Sequence, residues 1–217
     1  MQNVKHHLTD PLLMAYSAGS LPEAFSLVVA AHVSMCDECR ARLESFDCVG
    51  GALLNGTGSA DLNEDCLDAT LRLIRSGTVA APPVSRQTAR KSVLPAPVLD
   101  YLGGDLDRVR WRPIGQGVKQ AILPTSKAAT ARLLYIPAGG AVPAHSHRGL
   151  ELTLVLQGAY SDESDHFARG DIEIAGEELN HRPTAAPGED CICLAATDAP
   201  LRFNSLLTRI AQPFLRI

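Results

Sequence analysis

Residues 139–158 read GGAVPAHSHRGLELTLVLQG. His145 and His147 stand two apart, so on an extended chain their imidazoles leave the same face. The run 151–157 is rich in β-favouring residues and ends at a glycine, which predicts a strand, and Glu151 at its head enters the same cavity as the two imidazoles. On either side, short β-favouring runs at 120–123, 131–136, 170–174, 191–195 and 201–206 alternate with Gly, Pro and Asp turns. Even spacing of this kind predicts a β-sandwich or barrel. Within 191–195, Cys191 and Cys193 share one parity and face the cavity, while Ile192 and Leu194 face away. The pair serves either as small buried side chains or as redox-sensitive thiols.

The spacing Gly139-x5-His145-x-His147-x3-Glu151-x6-Gly158 resembles the first motif of the metal-binding cupins at every marked position. A second cupin motif is similar to Gly170-x5-Gly176-x4-His181, with departures. Gly176 and Glu178 stand where proline and glycine are usual, and Ala185 replaces the motif's asparagine. The resemblance implies an all-β jelly-roll barrel from residue 98 to 217, with one metal held by His145, His147, Glu151 and His181. Three imidazoles and a carboxylate accommodate Zn, Fe, Mn or Ni. Iron with open positions would permit oxygen chemistry, so a cupin dioxygenase with an accessory helical domain is the competing reading. The sequence places no second acid or base in the pocket, which favours a regulator over an enzyme.

Ahead of the barrel, from Thr9 to about Ser76, apolar residues recur at helical steps, predicting an all-α domain over 1–76. Asp10 with Pro11 predicts a first helix stopping at Gly19. Ser20 with Glu23 reads as a capping box for a second helix running to about Ser34. Asp37 is placed as the cap of a third helix reaching about Val49, and 62–75 form a fourth that either closes a bundle or docks on a partner. Cys48 and Cys66 read as small core residues. Between residues 77 and 97 Pro, Ala, Ser and basic residues replace the apolar period, which predicts a flexible linker.

His32, Cys36 and Cys39 form H-x3-C-x2-C, one face of a continuous helix. A bare CxxC serves equally as a redox pair or buried thiols, but the histidine four residues earlier favours zinc, for which His6 or His7 is the available fourth ligand. The stretch HH-L-x-D-x-L-L-x-A-Y-x-A-G-S-L at 6–21, followed by AAHVSMCDECRARL at 30–43, resembles the ChrR-type zinc-binding anti-sigma factors, and the likeness extends through residues 196–217. It implies zinc on His7, His32, Cys36 and Cys39, and a helical domain that occludes an extracytoplasmic-function sigma factor. It also implies zinc in the cupin, one ion per domain, and release of the sigma factor under oxidative stress such as singlet oxygen or organic peroxide.

Charge agrees with a protein partner. The chain carries 20 Lys and Arg against 24 Asp and Glu, with no basic stripe, which disfavours direct nucleic-acid binding. Residues 1–76 hold five basic and ten acidic side chains, suiting a basic partner. No apolar run approaches the roughly 20 residues of a membrane span and the N-terminus lacks a signal-type apolar region, so the expected location is the cytoplasm.

Overall fold

In a computed structural model, residues 4–77, 92–203 and 212 of the chain are described. The helices are α1 (Asp10–Ser17), α2 (Glu23–Met35), α3 (Asp37–Asn55), α4 (Cys66–Arg75) and α5 (Ala96–Leu102). The strands are β1 (Arg112–Gly115), β2 (Val118–Ile122), β3 (Thr130–Ile136), β4 (His145–Ser146), β5 (Glu151–Gln157) and β6 (Ala159–Ser161). They continue with β7 (His166–Ala168), β8 (Ile172–Ala175), β9 (Asn180–His181), β10 (Thr184–Ala185), β11 (Cys191–Thr197) and β12 (Arg202–Phe203). A helical region thus precedes a cupin barrel. Of the predicted linker, 78–91 lie outside the described residues, and so do 204–206 of the last predicted strand.

One wall of the barrel is a six-stranded sheet in the order β1-β2-β3-β11-β5-β8; the triplets β10-β6-β7 and β12-β4-β9 form the other. Period-2 alternation gives the large sheet two faces. Leu152, Leu154 and Leu156 of β5 with Ile192, Leu194 and Ala196 of β11 turn outward into one core shared with Phe25, Leu27, Val28 and Val29 of α2. Val155, Cys191, Cys193 and Tyr160 form a separate inner cluster. Because α2 has α1 and α3 on one side and α5 and the sheet on the other, it is apolar nearly all round, with Ala24, Ala31 and His32 also buried.

Several local expectations are corrected. The box at Ser20 does not form: α2 starts at Glu23, Ser20 Oγ bonds Ala15 O, and the Glu23 carboxylate accepts from Tyr101 Oη (2.9 Å) and Ser126 N (2.7 Å) instead. The helix bearing H-x3-C-x2-C is not continuous. Cys36, with φ −119° and ψ 108°, breaks it and caps α3 by accepting from Cys39 N, and α3 runs on to Asn55. Helix α4 closes no bundle, since none of its residues is buried, and Cys48 and Cys66 are exposed rather than core. Helix α5, starting inside the stretch read as linker, was hidden by Pro95 and Pro97, although Pro97 falls in its first turn where no N–H is needed.

Candidate metal centres

The break at Cys36 brings the ends of α2 and α3 against the segment that precedes α1. There His7 Nδ1 lies 3.3 Å from Cys36 Sγ and 3.6 Å from Cys39 Sγ. One ligand atom from each of His7, His32, Cys36 and Cys39 falls within 4.8 Å of the others. His6 turns away and packs against Phe167 with the rings tilted, centroids 4.5 Å apart. The imidazole of His32 is fully buried, and neither of its nitrogens makes a hydrogen bond of ordinary geometry. Burial, then the neighbouring His7, lowers its pKa to about 4, against a smaller upward pull from the Gly170 backbone. Burial likewise pushes the Cys39 thiol up to about 11. A neutral imidazole with unspent nitrogens beside two thiols is a donor set waiting for a cation, and two N with two S in tetrahedral reach fit zinc.

In the barrel, His145 of β4 pairs directly with His181 of β9. The His181 Nε2 lies 3.2 Å from His145 Nε2 and 3.2 Å from His147 Nε2. Each outer nitrogen is spoken for in two of the three: His145 Nδ1 donates to Pro143 O (2.9 Å), and His181 Nδ1 faces Asp162 Oδ2 (2.8 Å) and Glu173 Oε1 (3.1 Å). Those partners select the tautomers that aim Nε2 lone pairs at one point. Lone pairs 3.2 Å apart repel unless a proton or a metal lies between them, so this set also fits a cation. Glu151 stands on the same wall, Oε2 3.6 Å from His147 Nδ1, with Thr153 Oγ1 donating to its Oε1 at 3.0 Å. Its carboxylate is not among the atoms that converge; among the described residues the three histidines form one such group, and Asp162, Glu173 and His181 form another.

Glycines of the motif have a steric basis. Gly158 has φ +67°, and a Cβ there would lie 2.7 Å from Asp190 O. The cavity, about 260 Å³, is walled mainly by apolar side chains such as Leu134, Ile136 and Phe203, with Cys193 among them. The Sγ atoms of Cys191 and Cys193 are 3.5 Å apart. The hydrogen bond shared with Cys191, followed by burial, pushes the Cys193 thiol upward, which disfavours its reactive thiolate.

Sequence reasoning missed Asp162 and Glu173. Burial alone would raise the Asp162 carboxyl, but bonds from Glu173, Ser164 and His181 hold it far below the usual range, while burial raises Glu173. The available signal was Glu173 itself, an acid with inward parity in the apolar run Ile172–Ala175.

In the metal-free chain these shifts set a pH dependence. His32 and His145, each lowered to about 4 chiefly by burial, take up protons on unfolding, so stability falls as pH drops from about 6.5 toward 4. His181 acts oppositely. Burial lowers it, but the bonds to Glu173 and Asp162 prevail and raise it to about 9, so its contribution is complete below about 6.5 and fades as pH climbs to 9. Thermal melts of the chelated chain should therefore peak between about pH 6 and 7.5. A flat profile from pH 5 to 7 would show that the buried histidines do not govern acid stability.

Residues 102–200 match the family model described as the ChrR cupin-like domain. Over 214 residues, 99% of each chain, the sequence is 57% identical to the anti-sigma-E factor ChrR of Cereibacter sphaeroides. The chain belongs to the ChrR family. A solved family structure, Rhodobacter sphaeroides SigE in complex with the anti-sigma ChrR, matches with a TM-score of 0.79 and 55% identity, covering 90% of this chain and 100% of that one. As a ChrR family member the chain joins two donor sets in one molecule, and among its described residues no helix is long and apolar enough to cross a membrane.

Proposed function

We propose that this ChrR family member is a cytoplasmic anti-sigma factor. Its helical unit, residues 1–76, holds zinc on His7, His32, Cys36 and Cys39 and sequesters an extracytoplasmic-function sigma factor, and its cupin unit, from residue 98, controls release under oxidative stress. The carrying observation is uncovered apolar surface on two helices. Val49, Leu53 and Leu54 of α3 and Leu67, Leu73 and Ile74 of α4 are all more than half exposed, a concentration that a lone soluble chain rarely leaves to water. The solved relative is named as a complex with SigE, which gives that surface a chemical class of partner. The acidic balance of residues 1–76 suits a basic docking face.

Zinc, when bound to the helical set, neutralises two thiolates and staples three separate segments together. In the barrel, His145, His147 and His181 hold a metal that can be Zn, Fe, Mn or Ni, with Glu151 at hand, and Asp162 and Glu173 keep His181 oriented. An apolar cavity walled in part by His145 and His181 admits a small apolar oxidant to the donor set, which supports singlet oxygen or an organic peroxide as the signal. Calorimetric titration of the full chain with an extracytoplasmic-function sigma factor tests the reading. Tight one-to-one binding is expected, relieved by a singlet-oxygen source or tert-butyl hydroperoxide. The His147→Ala chain should bind equally well yet keep its partner after treatment. No binding, together with oxygen-dependent turnover of a small organic substrate, would replace this reading with the dioxygenase.

A further inference from the structure

The turn between β7 and β8, residues 169–171, lies between the two centres. On its outer side it grips the segment that delivers His7. Asp171 Oδ1 accepts from Lys5 N (2.6 Å) and His6 N (3.0 Å), Ile172 N donates to His6 O (3.4 Å), and the His6 ring rests on Phe167. Gly170, at φ +93°, lets the segment close in: a Cβ there would meet Val4 Cγ2 at 2.9 Å, and Met35 of α2 lies 3.8 Å off. The same glycine's backbone is beside His32. The turn is itself fixed, since Asp171 Oδ2 accepts from Ala168 N (2.9 Å) and Arg169 reaches the carbonyls of Val93 and Leu156.

On its inner side the turn leads to the barrel centre. Phe167 stacks on Tyr160, centroids 5.1 Å apart, Tyr160 Oη donates to Glu173 Oε2 at 2.6 Å, and Glu173 Oε1 holds His181 Nδ1 at 3.1 Å. We propose that Asp171 is a positioning residue for the His7–His32–Cys36–Cys39 centre, and that its turn is the mechanical link through which the barrel centre acts on it. The segment carrying one candidate ligand, His7, is thereby held by a barrel residue more than 160 positions away in the sequence, and a second ligand, His32, lies beside the adjacent Gly170. This inference rests on the reading that both donor sets hold metal.

Cobalt(II) tests it in the full chain, because the thiolate-to-cobalt charge-transfer band reports the cysteine centre alone; the barrel set is histidine and carboxylate. Transfer of cobalt to excess chelator, followed at that band, should be about tenfold faster for Asp171→Ala than for the parent chain, as for lost supports of metal ligands generally. The visible spectrum and stoichiometry should be unchanged, and amide exchange at Lys5 and His6 should speed up. His6→Ala leaves the barrel intact and should release cobalt faster by a smaller factor. Emptying the barrel with His145→Ala and His181→Ala should also accelerate release, but not further when Asp171→Ala is already present. Equal release rates for parent and Asp171→Ala, or acceleration by the barrel changes that multiplies with that of Asp171→Ala, would overturn the link. A parent chain that shows no charge-transfer band would instead overturn the zinc reading beneath it.

Discussion

In Cys39→Ala, zinc should fall from about two ions per chain to about one, and affinity for the sigma factor should drop at least about 100-fold, because structural zinc sites contribute on the order of 10 kcal/mol that a small helical unit cannot replace. The side chain is fully buried, 3.6 Å from the His7 ring, and its backbone N–H caps α3 on Cys36 Sγ. Its loss leaves three donors, too few for a closed tetrahedral site. Segment 4–8, the end of α2 and the start of α3 then part, and with them the orientation of α3, which carries Val49, Leu53 and Leu54. The barrel should survive, because β3, β5 and β11 pair along their length without any help from the zinc ligands. Metal analysis and calorimetry of the same preparation check both halves. Full sigma binding by a chain holding one zinc would show that the cysteine centre is not structural.

The barrel was legible where each strand obeys period 2 on its own. In Glu151–Gln157 and Cys191–Thr197 every second side chain falls on one face, and the observed registers keep that parity apart from a single bulge beside Cys193. The histidines could be read because the pleat puts residues 145 and 147 on one side and pairing puts 145 opposite 181. What escaped was decided by partners remote in sequence. Glu23 had the spacing of a capping box, but a phenol from α5 and an amide from the loop after β2 took its carboxylate. The break at Cys36 could not be read from residues that favour helix on both sides, since it is the convergence with His7 that requires it. Asp162 lies in a loop, and nothing local marks it as the partner of a histidine 19 residues on.

The second large effect should come from α4. Its exposed apolar side chains include Leu67 (68% exposed) and Ile74 (67%), seven residues apart and so on one face of the helix. Buried Leu→Ala changes destabilise a fold by about 2–5 kcal/mol because they leave a cavity, but neither residue here has a cavity to leave. Charging both as Leu67→Asp and Ile74→Asp should therefore leave the melting temperature and zinc content as they are. Apolar anchors at the centre of an interface cost about 2–4 kcal/mol each when removed, and a carboxylate adds the cost of its own desolvation. For the double variant we expect sigma affinity to fall about a thousandfold or more, mostly through faster dissociation. This pattern separates docking from folding: Cys39→Ala loses zinc and partner together, whereas the α4 variant loses only the partner. Retained affinity in the α4 variant would shift the docking face to Val49, Leu53 and Leu54 of α3 or away from the helical unit altogether.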